Sequence, residues 1–151
     1  MITFGAETIF DVIEEVEPLL RDHYHALAKN QDRVALKPDW DRYVDLQNAG
    51  AFFIYTARND GELVGYSAFF ASRHPHYMDL MLVSNDVLWL AESHRTGRTG
   101  VRFIRHCEEQ IQHRYGKDFA LTWHAKAGTA LDAMLPRMQY GLQDIVYSKL
   151  F

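Results

Sequence analysis

Two aromatic, β-rich runs, residues 51–57 and 63–72, are joined by Asn59-Asp60-Gly61, and no other stretch constrains the fold as much. Such a turn between apolar runs is a hairpin signal, because only small residues that tolerate positive φ close the chain so tightly. The rest of the chain must then cover the sheet that this hairpin begins. Upstream the period is helical, with Ile9, Val12, Ile13, Val16, Leu19, Leu20, Tyr24 and Leu27 three and four apart. Pro18 predicts an interruption, either between two helices or at the start of the second, since an interior proline removes a hydrogen bond and clashes with the preceding turn. A further helix is expected over residues 39–47, with a stop near Gly50.

Downstream, the apolar stretches 80–83 and 87–91 flank Ser84-Asn85-Asp86 and read as one bulged strand or as a strand and a turn. From Thr99 the helical period returns, placing Gly100, Phe103, Ile104, Cys107 and Ile111 on one face, with Gly116 as the stop. Residues 119–124 read as a strand, 129–138 as a helix and 145–150 as a last strand. Helices, hairpin, strand, helix, strand, helix, strand make an α/β or α+β sandwich with a mixed sheet. A length of 151 residues suits one domain over 1–151.

Sixteen Lys and Arg against twenty Asp and Glu give a net charge of -4, so the molecule as a whole attracts neither nucleic acid nor anionic lipid. The single cysteine, Cys107, excludes an intrachain disulfide and a Cys-type zinc site, and its place on an apolar helix face makes it a core residue. His23-x-His25 and His74-x-His76 are poor metal-ligand patterns, and no metal is expected. With neither a signal-like start nor a run of about 18 apolar residues, a cytoplasmic protein without membrane contact is expected.

Chemistry concentrates in residues 88–104: a strand, a loop of Gly, Arg and Thr, and the first turns of a helix. The first amides of a helix lack internal partners and the dipole there is positive, so a phosphate at that end is both hydrogen-bonded and charge-stabilised. Gly97 and Gly100 allow close approach. Arg95, Arg98, Arg102 and Arg105 fall between His94 and His106 with no acid among them, in a chain that is acidic overall. The loop has neither the Walker pattern nor Gly-x-Gly-x-x-Gly. Nucleic acid is disfavoured here too, because no aromatic stacking platform accompanies the arginines.

This strand, loop and helix, with helices ahead of a hairpin, resembles the GNAT acyl-CoA-dependent N-acetyltransferases. The family's Arg/Gln-x-x-Gly-x-Gly/Ala loop aligns on Arg95 and Gly100, with its middle glycine at Arg98 and Gly97 one place earlier. The resemblance covers nearly the whole chain and is closest to small bacteriophage-encoded GNAT proteins. It rests also on His23-Tyr24, Pro38-Asp39-Trp40, Leu63-Val64-Gly65-Tyr66, His76-Tyr77, Asn85-Asp86-Val87-Leu88, Thr122-Trp123-His124 and Ile145-Val146-Tyr147-Ser148-Lys149.

The resemblance implies a mixed, mostly antiparallel central sheet flanked by helices, with acetyl-CoA donating an acetyl group to an amine acceptor. The strand ending at Leu90, Ala91 and Glu92 would part from the strand at 121–124 and take the pantetheine arm in the gap, an N–H near Leu90 meeting the thioester carbonyl. The pyrophosphate would lie on Arg98, Thr99 and Gly100, within the loop Arg95-Thr96-Gly97 and near Arg102, and Thr129 stands where the family has an asparagine. Glu92 is the first expected base, its pKa raised by burial, with His94 and His124 as alternatives. The family's acidic tyrosine falls on Leu135, its Gly-Phe pair on Gln139-Tyr140, and Pro136 where a helix former is usual. Tyr140, Tyr147 or solvent would then protonate the thiolate. Trp40, Tyr43, His74, His76 and Tyr77 would gather around the acceptor. The alternative is a catalytically weak protein that binds and modulates a host protein. The sequence says nothing of oligomeric state or of which amine is used.

Overall fold

A computed structural model describes all residues, 1–151. Strands β1 (Ile2–Glu7), β2 (Phe52–Asn59), β3 (Glu62–His74), β4 (Tyr77–Leu90) and β5 (Phe119–Thr122) form one sheet in the order β1-β2-β3-β4-β5. The first three junctions are antiparallel and β4–β5 is parallel, which gives the mixed, mostly antiparallel α+β architecture. The predicted hairpin is β2–β3, closed by Asp60 and Gly61, both at positive φ.

Each face of the sheet is covered by what the helical periods supply. Helix α1 (Ile9–Leu27) buries Ile9, Val12 and Val16 against Ile54, Leu63, Tyr66, Ala68 and Trp89, and α2 (Trp40–Asn48) adds Tyr43, Val44 and Leu46 to that side. On the other face α3 (Thr99–Tyr115) sets Phe103, Cys107 and Ile111 against Phe53, Tyr55, Phe69, Val83 and Leu90. Thr8 and Asp11 form a capping box at the start of α1, and Asp39 caps α2. Arg58 on β2 binds Glu7 and Glu15 together, so one guanidinium ties β1, α1 and β2. Cys107 is fully buried.

Four expectations change. Strand β1 precedes the first helix. Pro18 interrupts nothing: α1 runs through it with Pro18 on the solvent side, where a lost backbone bond is replaced by water. Residues 145–150 form no strand; residues 141–151 are exposed and make no ladder with β5. The helix expected over 129–138 is split into α4 (Ala130–Met134) and a 3-10 turn, Leu135–Met138, because Pro136 cannot donate to an α-helical ladder. Residues 80–91 resolve into one strand with a bulge, and no helix is long and apolar enough to cross a membrane.

Candidate active site

Strand β4 is longer than its parallel neighbour, and the site follows from that mismatch. Pairing with β5 covers Met81 to Ser84 and ends at Ser84–Thr122, while β4 continues six residues to Leu90, opening a gap on that edge. At the apex the buried Asn85 side chain accepts the backbone N–H of His124, in place of the next ladder bond. On its other edge β4 stays bonded to β3, with Ala91 N–H donating to Val64 O at 2.7 Å. Alternation in an antiparallel ladder then turns the backbone groups of Leu88 and Leu90 away from β3 and toward the gap. Leu90 O is covered by Arg95 Nε at 2.6 Å. Gly65 makes this junction possible: a Cβ there would lie 2.8 Å from both Trp89 O and a Leu90 methyl.

The end of β4 leads through a 3-10 turn, Glu92–His94, into the loop before α3. Gly97 has φ +58°, a left-handed conformation that glycine adopts without penalty, and no side chain caps α3. Thr99 N–H reaches Thr96 O at 3.3 Å and Arg102 N–H reaches Arg98 O at 2.9 Å, but the amides of Arg98, Gly100 and Val101 donate to no protein group. Arg98 is exposed and pairs with no carboxylate. Two of the other three arginines turn elsewhere: Arg95 stacks 4.1 Å over the Trp89 ring, and Arg102 lies over Phe4 of β1. Thr129 caps α4, accepting Asp132 N–H and donating to Lys126 O.

The expected catalytic and acceptor residues are divided by the structure. Glu92 lies exposed in the turn, without the burial expected of it as a base. His124 stands just past β5 at the apex of the gap, its side chain exposed. Tyr140 donates its hydroxyl to Glu108 of α3 at 2.6 Å, and burial followed by that bond pushes its pKa up, so its proton is committed away from the gap. Leu135 is buried. Tyr147 is 90% exposed on the C-terminal segment. Trp40 opens α2 beside Tyr43, next to a shallow hollow of about 400 Å³ lined by Lys37, Pro38, Asp39, Tyr43 and Phe70. His76 and Tyr77 are exposed at the far tip of the β3–β4 hairpin. Nine residues of strand, roughly 30 Å, separate Tyr77 from Asp86, so these two do not gather with Trp40.

One residue at the apex was not singled out in the sequence for any chemical role. In the β3–β4 register Asn85 pairs with Phe69 and Val87 with Ala68, leaving Asp86 as the extra residue of the bulge. The bulge turns Asp86 to the α1/α2 face, where its carboxylate accepts Tyr43 Oη–H at 2.9 Å. Beside it the Tyr66 hydroxyl is buried without a hydrogen-bond partner, and the nearness of Asp86 and Tyr43 adds to the burial that raises its pKa. Asp86 keeps part of its surface in solvent, while the protein packed around it lifts its pKa above the ordinary carboxylate value and Tyr43 and His124 pull the other way. A carboxylate in the middle of a strand pattern is the one available signal, since bulges recur beside active sites.

The chain matches no protein-family model and no curated protein. Solved structures of GCN5-related N-acetyltransferase type do match over essentially its whole length. One is a GCN5-related N-acetyltransferase from Ralstonia eutropha JMP134, at TM-score 0.77 and 15% identity, covering 99% of both chains. Another is an aminoglycoside acetyltransferase from an uncultured soil metagenomic sample, in complex with sisomicin, at TM-score 0.74 and 12% identity over 99% of this chain and 96% of that one. A third is a ribosomal-protein-alanine N-acetyltransferase from Brucella melitensis biovar Abortus 2308, at TM-score 0.70 and 18% identity over 100% and 99%. The fold is therefore the GNAT fold. Its structural neighbours are acetyltransferases.

Proposed function

We propose that the protein is an acyl-CoA-dependent N-acetyltransferase that moves an acetyl group from acetyl-CoA to an amine on a small molecule or a protein. The observation that carries this reading is the parting of β4 from β5 beside a helix start whose amides are uncapped. A long, narrow thioester with a diphosphate needs both features, and here they are adjacent.

In this reading the amides of Arg98, Gly100 and Val101 hold the diphosphate, with the free Arg98 guanidinium as counter-charge and Gly97 giving access. The Leu90 N–H receives the thioester carbonyl, a bond that strengthens as charge develops on oxygen. Arg95, tied to Leu90 O and Trp89, fixes the strand end instead of reaching for phosphate. No tyrosine stands at the family's acid position, and a thiolate whose acid has pKa ~8.5 leaves without one. The acceptor approaches from the α1/α2 face, past Trp40 and Tyr43.

Calorimetry with acetyl-CoA tests the claim. Saturable binding by the wild type, about tenfold weaker in Arg98→Glu, is expected, and no heat at saturating acetyl-CoA overturns the claim. Glu92→Gln is expected to leave turnover unchanged, as befits an exposed turn residue. The buried Leu135 favours a second reading, a phage-encoded protein of this fold that restrains a host protein. A stoichiometric partner captured by a chain that binds no acetyl-CoA would select it.

A further inference from the structure

An apolar arm without a cover and a sheet edge without a neighbour occur on the same chain and do not pair with each other. We propose that the segment after Tyr140 in one copy adds to the outer edge of β5 in a second copy, in a reciprocal exchange about a twofold axis. The proposal concerns an interface and stands apart from the acetyltransferase reading.

Tyr140 anchors the arm, with its hydroxyl on Glu108 and its N–H on Leu135 O at 3.1 Å. Beyond it the chain joins no helix or strand, and its one hydrogen bond to the rest of the molecule comes from the Arg33 guanidinium to Phe151 O. Leu142, Ile145, Val146, Tyr147 and Phe151 are each at least 67% exposed. The two rings alone leave roughly 400 Å² in water, at ~200 Å² for each aromatic side chain. With the three aliphatic side chains added, the surface reaches the size at which exposed apolar patches mark interaction sites. Ile145-Val146-Tyr147 suits an extended backbone, and an extended arm reaches about 35 Å from its anchor, far enough to enter a neighbouring molecule.

The receiving edge is equally bare. Strand β5 is the last of the sheet and is bonded to β4 on one side only. Met81 N–H donates to Asp118 O at 3.1 Å, so alternation along β5 points the backbone groups of Ala120 and Thr122 at β4 and turns those of Phe119 and Leu121 outward, where they meet no protein partner. Edge strands are usually guarded by a charge, a proline or a bulge, and residues 119–123 contain none. Phe119, Leu121 and Trp123 are instead apolar and only partly buried. Within one chain the arm ends at Arg33, between α1 and α2, and leaves Tyr147 in water, so a second copy supplies the cover and each brings the arm that the other edge needs. Two arms and the edges they cover pass the roughly 1,200 Å² at which specific interfaces begin, because ~400 Å² of ring surface per arm is met by a similar area of the other copy. Since β5 ends at the gap, the arm of one copy also braces the site of the other.

Sedimentation equilibrium of the full chain from low to high micromolar concentration, paired with hydrogen exchange over the same range, tests this. A reversible equilibrium between monomer and dimer is expected, with the amides of residues 119–122 and 145–150 slowing together as the dimer forms. Tyr147→Asp and Val146→Asp change exposed side chains, so each should keep the melting temperature of the wild-type monomer and weaken dimerisation about thirtyfold or more. A wild type that stays monomeric at every concentration overturns the proposal. Protection of residues 119–122 that does not vary with concentration overturns it too, because the arm then lies on its own edge. A dimer of wild-type strength in both variants, or an open-ended series of larger assemblies, has the same consequence.

Discussion

The two walls of the gap are made of different material. The α3 side is backbone: Leu88, Leu90 and the amides from Arg98 to Val101, arranged by one strand's overhang and one glycine at positive φ. The α1/α2 side is side chain: Asp86, Tyr43, Tyr66, Trp40 and His124, drawn from two strands, a helix and the segment after β5. Backbone geometry survives most substitutions, whereas a side-chain wall is rewritten by one. A backbone framework can therefore persist while the side chains on it change, and structures at 12 to 18% identity still match this chain along its length.

The difference can be broken first where the walls share a strand. Gly65→Ala places a methyl 2.8 Å from Trp89 O, so β4 must shift. A loss of about 3 kcal/mol is expected in denaturant unfolding, with acetyl-CoA affinity falling too. Asn85→Ala leaves the His124 N–H without its acceptor at the apex. About 2 kcal/mol should be lost, chiefly through that unmet donor. Arg98→Glu tests the backbone wall alone: because the side chain is exposed, melting should not change, whereas acetyl-CoA affinity should drop about tenfold, less at high salt.

The smallest effect belongs to His23 of α1, stacked on Trp89. Burial first, then Lys126 and Arg95, lower its pKa to about 4. A histidine whose folded pKa lies below its unfolded value of about 6.5 keeps its full contribution above 6.5 and loses stability progressively as pH falls toward 4. Melting temperature measured across that window should decline in the wild type and decline less in His23→Gln.

How much of this was legible in the sequence depends on whether the cause was local. The β2–β3 hairpin was, because Asn59-Asp60-Gly61 carries its own turn geometry, and so was α3, whose apolar period is unbroken. The uncapped start of α3 was legible for the same reason, Gly97 and the first residues of the helix lying within a few positions. Strand β1 was missed because Ile2–Glu7 is short, contains Gly5 and gains its identity only from pairing with β2. Pro18 misled because a proline rule says nothing of which side faces water. The bulge at Asp86 was missed because a bulge is a property of two strands in register, and no residue on β4 alone announces it. His76 and Tyr77 were grouped with Trp40 by chemical kind, and the length of the hairpin separates them.

The three tryptophans of the chain lie on both sides of the sheet: Trp40 at the start of α2 and Trp89 within β4 on the α1 and α2 side, and Trp123 just past β5 on the α3 side, edge-on to Phe69. Indole emission responds to local polarity, so the molecule carries an intrinsic fluorescence reporter spread over both walls. An unlabelled sample should signal donor and acceptor entry separately, Trp123 and Trp40 answering to different ligands.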